Sequence, residues 1–162
     1  MAPVGMFAAI WVFGVPAVSG SPGRPAEQPR WSILPSGETP RAIRPCSRST
    51  PPGLAGSWIP SADDVTAAEA VVDEAIGASV RTLKRDLRPP APAQYYRQYV
   101  GTFLAGRRIL YVTGLSKAMV DRRPRVFQWR SRAFAGCDFG AQAFGAAFDM
   151  NSQRFISFDF DH

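Results

Sequence analysis

The sequence is short of histidine, lysine and cysteine, and these shortages weigh against several kinds of active site. The only histidine is His162, the last residue, whereas a serine or cysteine nucleophile usually needs a neighbouring base, most often histidine. Asp159 and Asp161 stand beside it, but no second group of metal-ligand residues has a recognised spacing. No glycine-rich phosphate loop or dinucleotide motif occurs. The sequence therefore predicts no catalytic residues, no metal and no cofactor.

Lysine is nearly absent from a chain that is nevertheless strongly basic. Of the 19 basic residues only Lys84 and Lys117 are lysines, the others are arginines, and the net charge is +6. Such a charge is typical of proteins that bind nucleic acid, anionic lipid or acidic glycans. The arginines are spread along the chain, however, as the coding bias of a GC-rich genome would also produce. Both interpretations stay open.

Long apolar runs are also lacking, apart from one near the N-terminus. The segment Val4–Val18 is apolar and small residues follow it, which predicts a secretory signal peptide over residues 1–20. The protein is therefore expected to be exported, to the periplasm or the extracellular space. The run is shorter than the ~20 residues of a transmembrane helix, so no membrane span is expected after processing. A signal peptide usually begins with basic residues, and none precedes Arg24. Two alternatives therefore stay open: an uncleaved membrane anchor, or a segment that is neither a signal peptide nor an anchor.

Cysteine and proline placement divides the rest of the chain. In an exported protein Cys46 and Cys137 can form a disulfide; the alternative is two independent thiols, with Cys137 buried as a small apolar group. Residues 21–56 are dense in proline, glycine, serine and arginine and lack sustained apolar periodicity, which predicts a disordered tether. One folded domain is expected over residues 57–162.

Helical periodicity is clear in one segment, Ser61–Leu87. Ser61 is a suitable N-cap with Asp64 three residues later, and Pro89–Pro90 stops the helix. Its apolar residues recur at spacings of three and four and mark one buried face. They are Val65, Ala68, Val72, Ile76, Val80, Leu83 and Leu87.

Aromatic-rich strands follow this helix. The predicted strands are Tyr95–Leu104, Arg108–Leu115, Arg125–Ala135, Ala143–Asp149 and Arg154–Phe160, and short turns join four of them into two hairpins. One N-terminal helix packed on a curved antiparallel sheet of four to five strands gives an α+β domain. The sheet has aromatic residues on both faces, and one helix covers only one of them. We therefore expect the other face to be exposed and to contact a partner.

Several short sequence blocks occur in an order that resembles a known protein family. They are Trp58-Ile59-Pro60, Glu69, Tyr96-Arg97-Gln98-Tyr99 with Gly101, Gly106-Arg107-Arg108 with Tyr111, Cys137-Asp138-Phe139-Gly140, Phe148-Asp149, and the terminal Phe155 and Phe158. With these blocks the chain resembles a family of small, uncharacterised exported bacterial proteins whose domain has a cystatin-like arrangement, a helix wrapped by an antiparallel sheet. Phe139 stands where a second small residue is expected after Cys-Asp. The resemblance implies a fold and an exported location, and no known activity.

Basic and aromatic residues are interleaved most densely between Arg122 and Arg132. This composition suits phosphate contact and stacking, and the candidate binding residues are Trp129, Arg130 and Arg132, together with Tyr96. Within a strand Trp129 would point away from both arginines, and an exported protein seldom meets nucleic acid. The sequence thus predicts a small exported binding or accessory protein, with an envelope or extracellular protein or an anionic surface as its partner.

The alternative is a small hydrolase or isomerase with a pocket between helix and sheet. Tyr99, Tyr111 and Asp138 are the polar groups that such a pocket would use. A lined cavity there would favour the enzyme, whereas a solid interior would leave binding by the outer sheet face.

Overall fold

The computed structural model describes residues 28–81, 83 and 87–162, which form an α+β fold. The predicted signal peptide, residues 1–20, lies outside them. The strands are β1 Trp31–Ile33, β2 Leu54–Trp58, β3 Tyr95–Leu104, β4 Arg107–Ser116, β5 Ala143–Asp149 and β6 Arg154–Phe160. The helices are α1 Thr39–Ala42, α2 Ala62–Val80 and α3 Lys117–Arg122, with short 3-10 turns at Ser36–Glu38, Pro92–Gln94 and Gly140–Gln142. Within the described ranges, no helix is long and apolar enough to cross a bilayer.

The sheet has six strands, more than the four to five predicted, and it is mostly antiparallel. Its order is β1-β3-β4-β5-β6, with β2 also paired to β3. Only β1 runs parallel to its neighbour, with Trp31 opposite Arg97 and Ile33 opposite Tyr99. The short strands β1 and β2 therefore share one side of the long strand β3.

The long helix α2 begins where the sequence predicts. The Ser61 hydroxyl accepts a hydrogen bond from the Asp64 amide at 3.2 Å, and the Ser61 amide donates to the Asp64 carboxylate at 2.8 Å. This reciprocal cap satisfies two backbone amides that the first turn would otherwise leave unpaired. The helix ends at Val80, before the predicted Leu87, and residues 82 and 84–86 of the predicted helix lie outside the described residues.

Both predicted hairpins are confirmed. β3 and β4 pair over their full length around Ala105 and Gly106, whose φ values of 49° and 77° give the left-handed turn that a two-residue hairpin needs. β5 and β6 have the predicted bounds and pair antiparallel. Because β5 also pairs with β4, the two hairpins form one continuous sheet.

The predicted strand Arg125–Ala135 is wrong. In this segment the amides of Val126, Phe127, Ser131 and Arg132 donate to carbonyls three or four residues earlier, which is turn geometry. The alternation of side chains is present in the sequence, but β4 already has β3 and β5 on its two sides. No place beside β4 is left for another strand.

One sheet face packs against α2, and the space between them is filled by side chains. The helix contributes four residues that are fully buried: Val65, Ala68, Val72 and Ile76. From the sheet, Tyr95, Tyr99, Phe144 and Phe148 are also fully buried in the same cluster. These residues form a packed layer between helix and sheet, and a groove opens at its edge between α2 and the start of β6.

The other sheet face is covered as well, which corrects the prediction of an exposed face. Val100, Ile109 and Tyr111 on this face pack against Leu34 and Ile43 from the N-terminal segment. Near the end of β4, Leu115 packs against Val120 of α3 and Phe134 of the following loop. Two segments outside the hairpins thus supply the second layer.

The predicted disordered tether also differs from the structure over residues 28–56. This stretch contains β1, α1 and the start of β2, and the Leu34 amide donates to the Tyr99 carbonyl at 2.9 Å. Its apolar side chains are few, but Leu34, Ala42 and Ile43 are all nearly buried. They gain their burial from the sheet, not from one another, so no local periodicity marks them. Residues 21–27 of the predicted tether lie outside the described residues.

The N-terminal segment is fastened at Cys46 and Arg48. Cys46 forms a disulfide with Cys137, as one of the two sequence interpretations proposed, and both residues are exposed. Arg48 forms an ion pair with Asp161 at 2.6 Å, and both side chains are fully buried. The Ser49 amide donates to the Asp159 carboxylate at 2.7 Å. Residues 48 and 49 of the N-terminal segment are thus held to the C-terminal end of the chain.

Candidate functional site

Two aromatic rings and two cations are stacked beside the second layer. Tyr96 and Trp129 lie face to face, with ring centroids 4.4 Å apart and an interplanar angle of 16°. The Arg130 guanidinium lies 4.2 Å from the Trp129 ring centroid, and the Lys117 ammonium lies 5.6 Å from that of Tyr96. Both distances are within the range of cation–π attraction. We call Tyr96, Lys117, Trp129 and Arg130 the cation–aromatic stack.

Three separate elements bring the stack together. Tyr96 is on β3, Lys117 is the first residue of α3, and Trp129 and Arg130 belong to the loop that follows α3. Partial burial and a hydrogen bond from Tyr96 to the Asp121 carboxylate raise the pKa of the Tyr96 phenol. Tyr96 is therefore a neutral ring at ordinary pH, and the net charge of the stack is positive.

The buried side chain of Gln98 fixes the loop that carries Trp129. Its amide nitrogen donates to the carbonyls of Trp129 at 2.7 Å and Arg132 at 2.6 Å, and its oxygen accepts from the Phe134 amide at 3.0 Å. These partners fix the orientation of the amide group, since only the nitrogen can donate. Three backbone groups of an otherwise irregular loop are thereby satisfied on a rigid strand.

The N-terminal segment holds the same loop from the other side. The Ser32 hydroxyl donates to the Arg130 carbonyl at 2.8 Å, and the Glu38 carboxylate accepts from the Ala133 amide at 2.8 Å. The Arg130 guanidinium itself donates to the Gln28 side chain and the Pro29 carbonyl, both at 3.2 Å. Arg130 is thus positioned by neutral partners and keeps its charge uncompensated in these contacts.

A groove of about 250 Å³ opens beside the stack. Arginine side chains at Arg41, Arg125 and Arg132 line it, together with apolar groups and no acidic residue. Its apolar lining includes Leu115, Val126, Phe127, Trp129, Ala133 and Phe134. Trp129 belongs to both the groove and the stack, so the two form one surface.

The structure places all four predicted binding residues on this surface. Tyr96, Trp129 and Arg130 meet in the stack, and Arg132 lines the groove. The strand prediction had separated the tryptophan from the arginines, and the loop conformation removes that separation. Sequence reasoning missed Arg41 and Gln98, because they reach the loop from distant segments.

The groups of the enzyme alternative are not brought together. Tyr99 donates a hydrogen bond to the Glu69 carboxylate on the face that carries α2. Tyr111 lies on the opposite face, because its neighbour Val112 is the residue that pairs with Tyr99. Asp138 is exposed in the loop before β5. Since Tyr99 and Tyr111 face opposite ways, they do not line one pocket.

We expect the buried tyrosines to limit stability at high pH. Burial raises the pKa of Tyr95, Tyr99 and Tyr111; the Glu69 charge adds to the effect at Tyr99, and the Arg48 charge opposes it at Tyr111. A raised folded pKa means that this stability is fully present below the unfolded pKa, about 10, and is lost as the pH rises above it. Phenolate absorbance should therefore appear together with loss of the far-ultraviolet circular dichroism signal.

A Tyr96→Phe variant is the matched control for this titration, because it removes the most exposed phenol and leaves the three buried ones. Phenolate absorbance that rises with an ordinary midpoint near pH 10, while the dichroism signal stays constant, would contradict the prediction.

No group of three or more His, Cys, Asp or Glu side chains within the described ranges is arranged to hold a metal ion.

No family model matches the chain, and no curated protein and no solved structure was found to be similar to it. The family resemblance therefore stays a prediction, and the function rests on the surface described above.

Proposed function

We propose that this protein is a small exported binding module that holds a negatively charged ligand on the surface formed by the stack and the groove. The observation that carries the proposal is the concentration of Lys117, Arg130 and three groove arginines around Trp129, with no acidic side chain in the groove lining. A cluster of like charges raises the local concentration of counter-ions and attracts anions. The partly buried rings of Tyr96, Phe127 and Trp129 among them add contact area for an apolar or planar group.

The exported location is part of this proposal. It is supported by the disulfide between Cys46 and Cys137, since such bonds persist in oxidising compartments, and by the apolar segment Val4–Val18. We also propose that the domain has a cystatin-like arrangement, in which a helix is wrapped by an antiparallel sheet. The contacts of α2 with a mostly antiparallel sheet support it.

Four arginines of the sheet region are already paired with protein carboxylates, whereas the groove arginines are not, among the residues that the structure describes. Arg48, Arg97, Arg107 and Arg108 each lie within 4 Å of a carboxylate in the described structure. Arg41, Arg125 and Arg132 form no ion pair with a carboxylate within the described part of the chain. A ligand anion would therefore meet guanidinium groups without first displacing a protein carboxylate.

Retention on immobilised heparin, used as a polyanion probe, tests the proposal. We expect the variant Arg130→Ala/Arg132→Ala to bind about tenfold more weakly than the wild type, because two exposed contacts of up to about 1 kcal/mol each are lost. The measurement is the dissociation constant at fixed ionic strength, with circular dichroism to show that the fold is unchanged.

The matched control is Arg81→Ala/Arg154→Ala, which removes the same charge from two exposed positions outside the groove lining and the stack. It should weaken binding less than twofold, a difference within about 0.4 kcal/mol. Equal losses in the two variants would mean that heparin senses net charge alone, and the proposed surface would be wrong.

A further inference from the structure

We infer that the groove binds a small amphipathic carboxylate, a single acidic group on a compact apolar ring system. This inference rests on the proposed function and narrows its ligand from any anion to one chemical class. It follows from the size of the groove, the kind of cation on its rim, the apolar nature of its floor and the rigidity of its walls.

The size of the groove favours a small molecule. Its volume of about 250 Å³ lies just below the range of roughly 300–1,000 Å³ that is usual for drug-sized ligands. A concave site of this size can hold one or two fused rings, whereas a polyanion chain such as heparin would mainly contact the arginines at its rim.

The rim favours a carboxylate. All three cations that line the groove, Arg41, Arg125 and Arg132, are arginines, and all three are exposed. A guanidinium group presents paired N–H donors in a plane, which match the two oxygens of a carboxylate in a bidentate contact. A carboxylate at the opening can therefore receive a bidentate contact from any one of these three groups.

The floor favours an apolar ring. Leu115 is almost fully buried, Phe134 is 9% exposed, and Phe127 and Trp129 are half-buried beside them. Because Leu115 and Phe134 are already shielded, a ligand ring in the groove removes apolar surface from water mainly at Phe127 and Trp129, and on the ligand itself. Aromatic rings also make offset or edge contacts with one another that exceed simple burial.

The walls are held in place before any ligand arrives. Gln98 binds three backbone groups between Trp129 and Phe134, and Glu38 binds the Ala133 amide between them. The disulfide at Cys137 fixes the chain shortly beyond this loop. A preorganised loop loses little conformational freedom on binding, so a small ligand can still reach a measurable affinity.

Isothermal titration calorimetry with 2-naphthoate tests this inference on the full chain. We expect a dissociation constant below about 1 mM, which corresponds to roughly −4 kcal/mol. The neutral isostere 2-naphthamide should bind at least about tenfold more weakly, and acetate, which has the charge without the ring, should bind more weakly still. The variant Arg125→Gln/Arg132→Gln should lose about tenfold for 2-naphthoate and little for the amide.

The control Arg81→Gln/Arg154→Gln has the same net charge and should bind 2-naphthoate like the wild type. The inference is wrong if the amide binds as tightly as the carboxylate, or if the control loses as much affinity as the groove variant. If 2-naphthoate does not bind while heparin retention depends on Arg130 and Arg132, the ligand class is wrong and the proposed function stands. If 2-naphthoate binding does not depend on Arg125 and Arg132, and heparin retention does not depend on Arg130 and Arg132, both the ligand class and the proposed function are wrong.

Discussion

Replacing Arg48 by methionine is expected to lower the free energy of unfolding by about 3–5 kcal/mol, because it leaves a buried carboxylate without its partner. Arg48 and Asp161 are both fully buried and 2.6 Å apart. The guanidinium also donates to the Thr113 hydroxyl at 3.4 Å. Methionine keeps much of the volume but none of the charge, so the buried Asp161 carboxylate would lose the guanidinium that pairs with it.

Urea denaturation monitored by circular dichroism gives this free energy. The control is Arg108→Met, whose side chain is 48% exposed and lies 3.4 Å from Asp64, and which should cost about 1 kcal/mol or less. The double variant Arg48→Met/Asp161→Leu should regain part of the loss, because a buried pair can be exchanged for apolar groups at little cost. A loss for Arg48→Met no larger than that of the control would contradict the prediction.

Removing the disulfide is expected to have a similarly large effect. Cys46 and Cys137 are 91 residues apart in sequence, and closing a loop of that length stabilises a fold by about 4–5 kcal/mol in the chain-entropy model, with about 2–4 kcal/mol typical in practice. Both cysteines are exposed, so the variant Cys46→Ser/Cys137→Ser buries no new polar group. We expect its free energy of unfolding to fall by about 2–4 kcal/mol.

Reductant provides the internal control for this second prediction. Dithiothreitol should lower the stability of the wild type to that of the double serine variant and leave the variant itself unchanged. Alkylation followed by intact-mass measurement shows whether the thiols were paired. A wild-type protein whose unfolding midpoint does not respond to complete reduction would disprove the stabilising role of the cross-link.

Local sequence patterns were sufficient for the elements whose partners are close in the chain. The capping residues Ser61 and Asp64 and the regular apolar spacing gave the start and the buried face of α2. Alternation on either side of Ala105–Gly106 gave the first hairpin, and the second was found in the same way. In each case the pattern and the structure that it predicts involve the same few residues.

The remainder of the fold depends on distant partners, which a single sequence does not reveal. Leu34 and Ile43 look isolated in a proline-rich stretch, and their burial comes from the sheet face that carries Val100 and Tyr111. Asp161 alternates with phenylalanines as an outward charge would, yet its partner Arg48 lies far away in sequence. The alternation in Arg125–Ala135 was real, but pairing along β4 was already complete.

The candidate site was also predictable only in part, namely for the residues that a local pattern marks. Composition alone pointed to Trp129, Arg130 and Arg132, because arginine suits contact with an anion and an aromatic ring suits stacking. That Gln98 would shape their loop was not visible, since its hydrogen bonds are made to backbone groups. A buried amide of this kind carries no sequence signal beyond its position in a strand.

The long-range attachments of the N-terminal segment also imply an order of folding. Arg48 is 113 residues from Asp161, whereas the strands of each hairpin are neighbours along the chain. During synthesis Arg48 leaves the ribosome long before its partner exists, and closing so long a loop costs entropy before any contact repays it. We therefore expect the hairpins to form first and the N-terminal segment to dock last. Until it docks, the sheet face around Val100 and Tyr111 would be open to solvent, and we expect the chain to be most prone to aggregation at that stage.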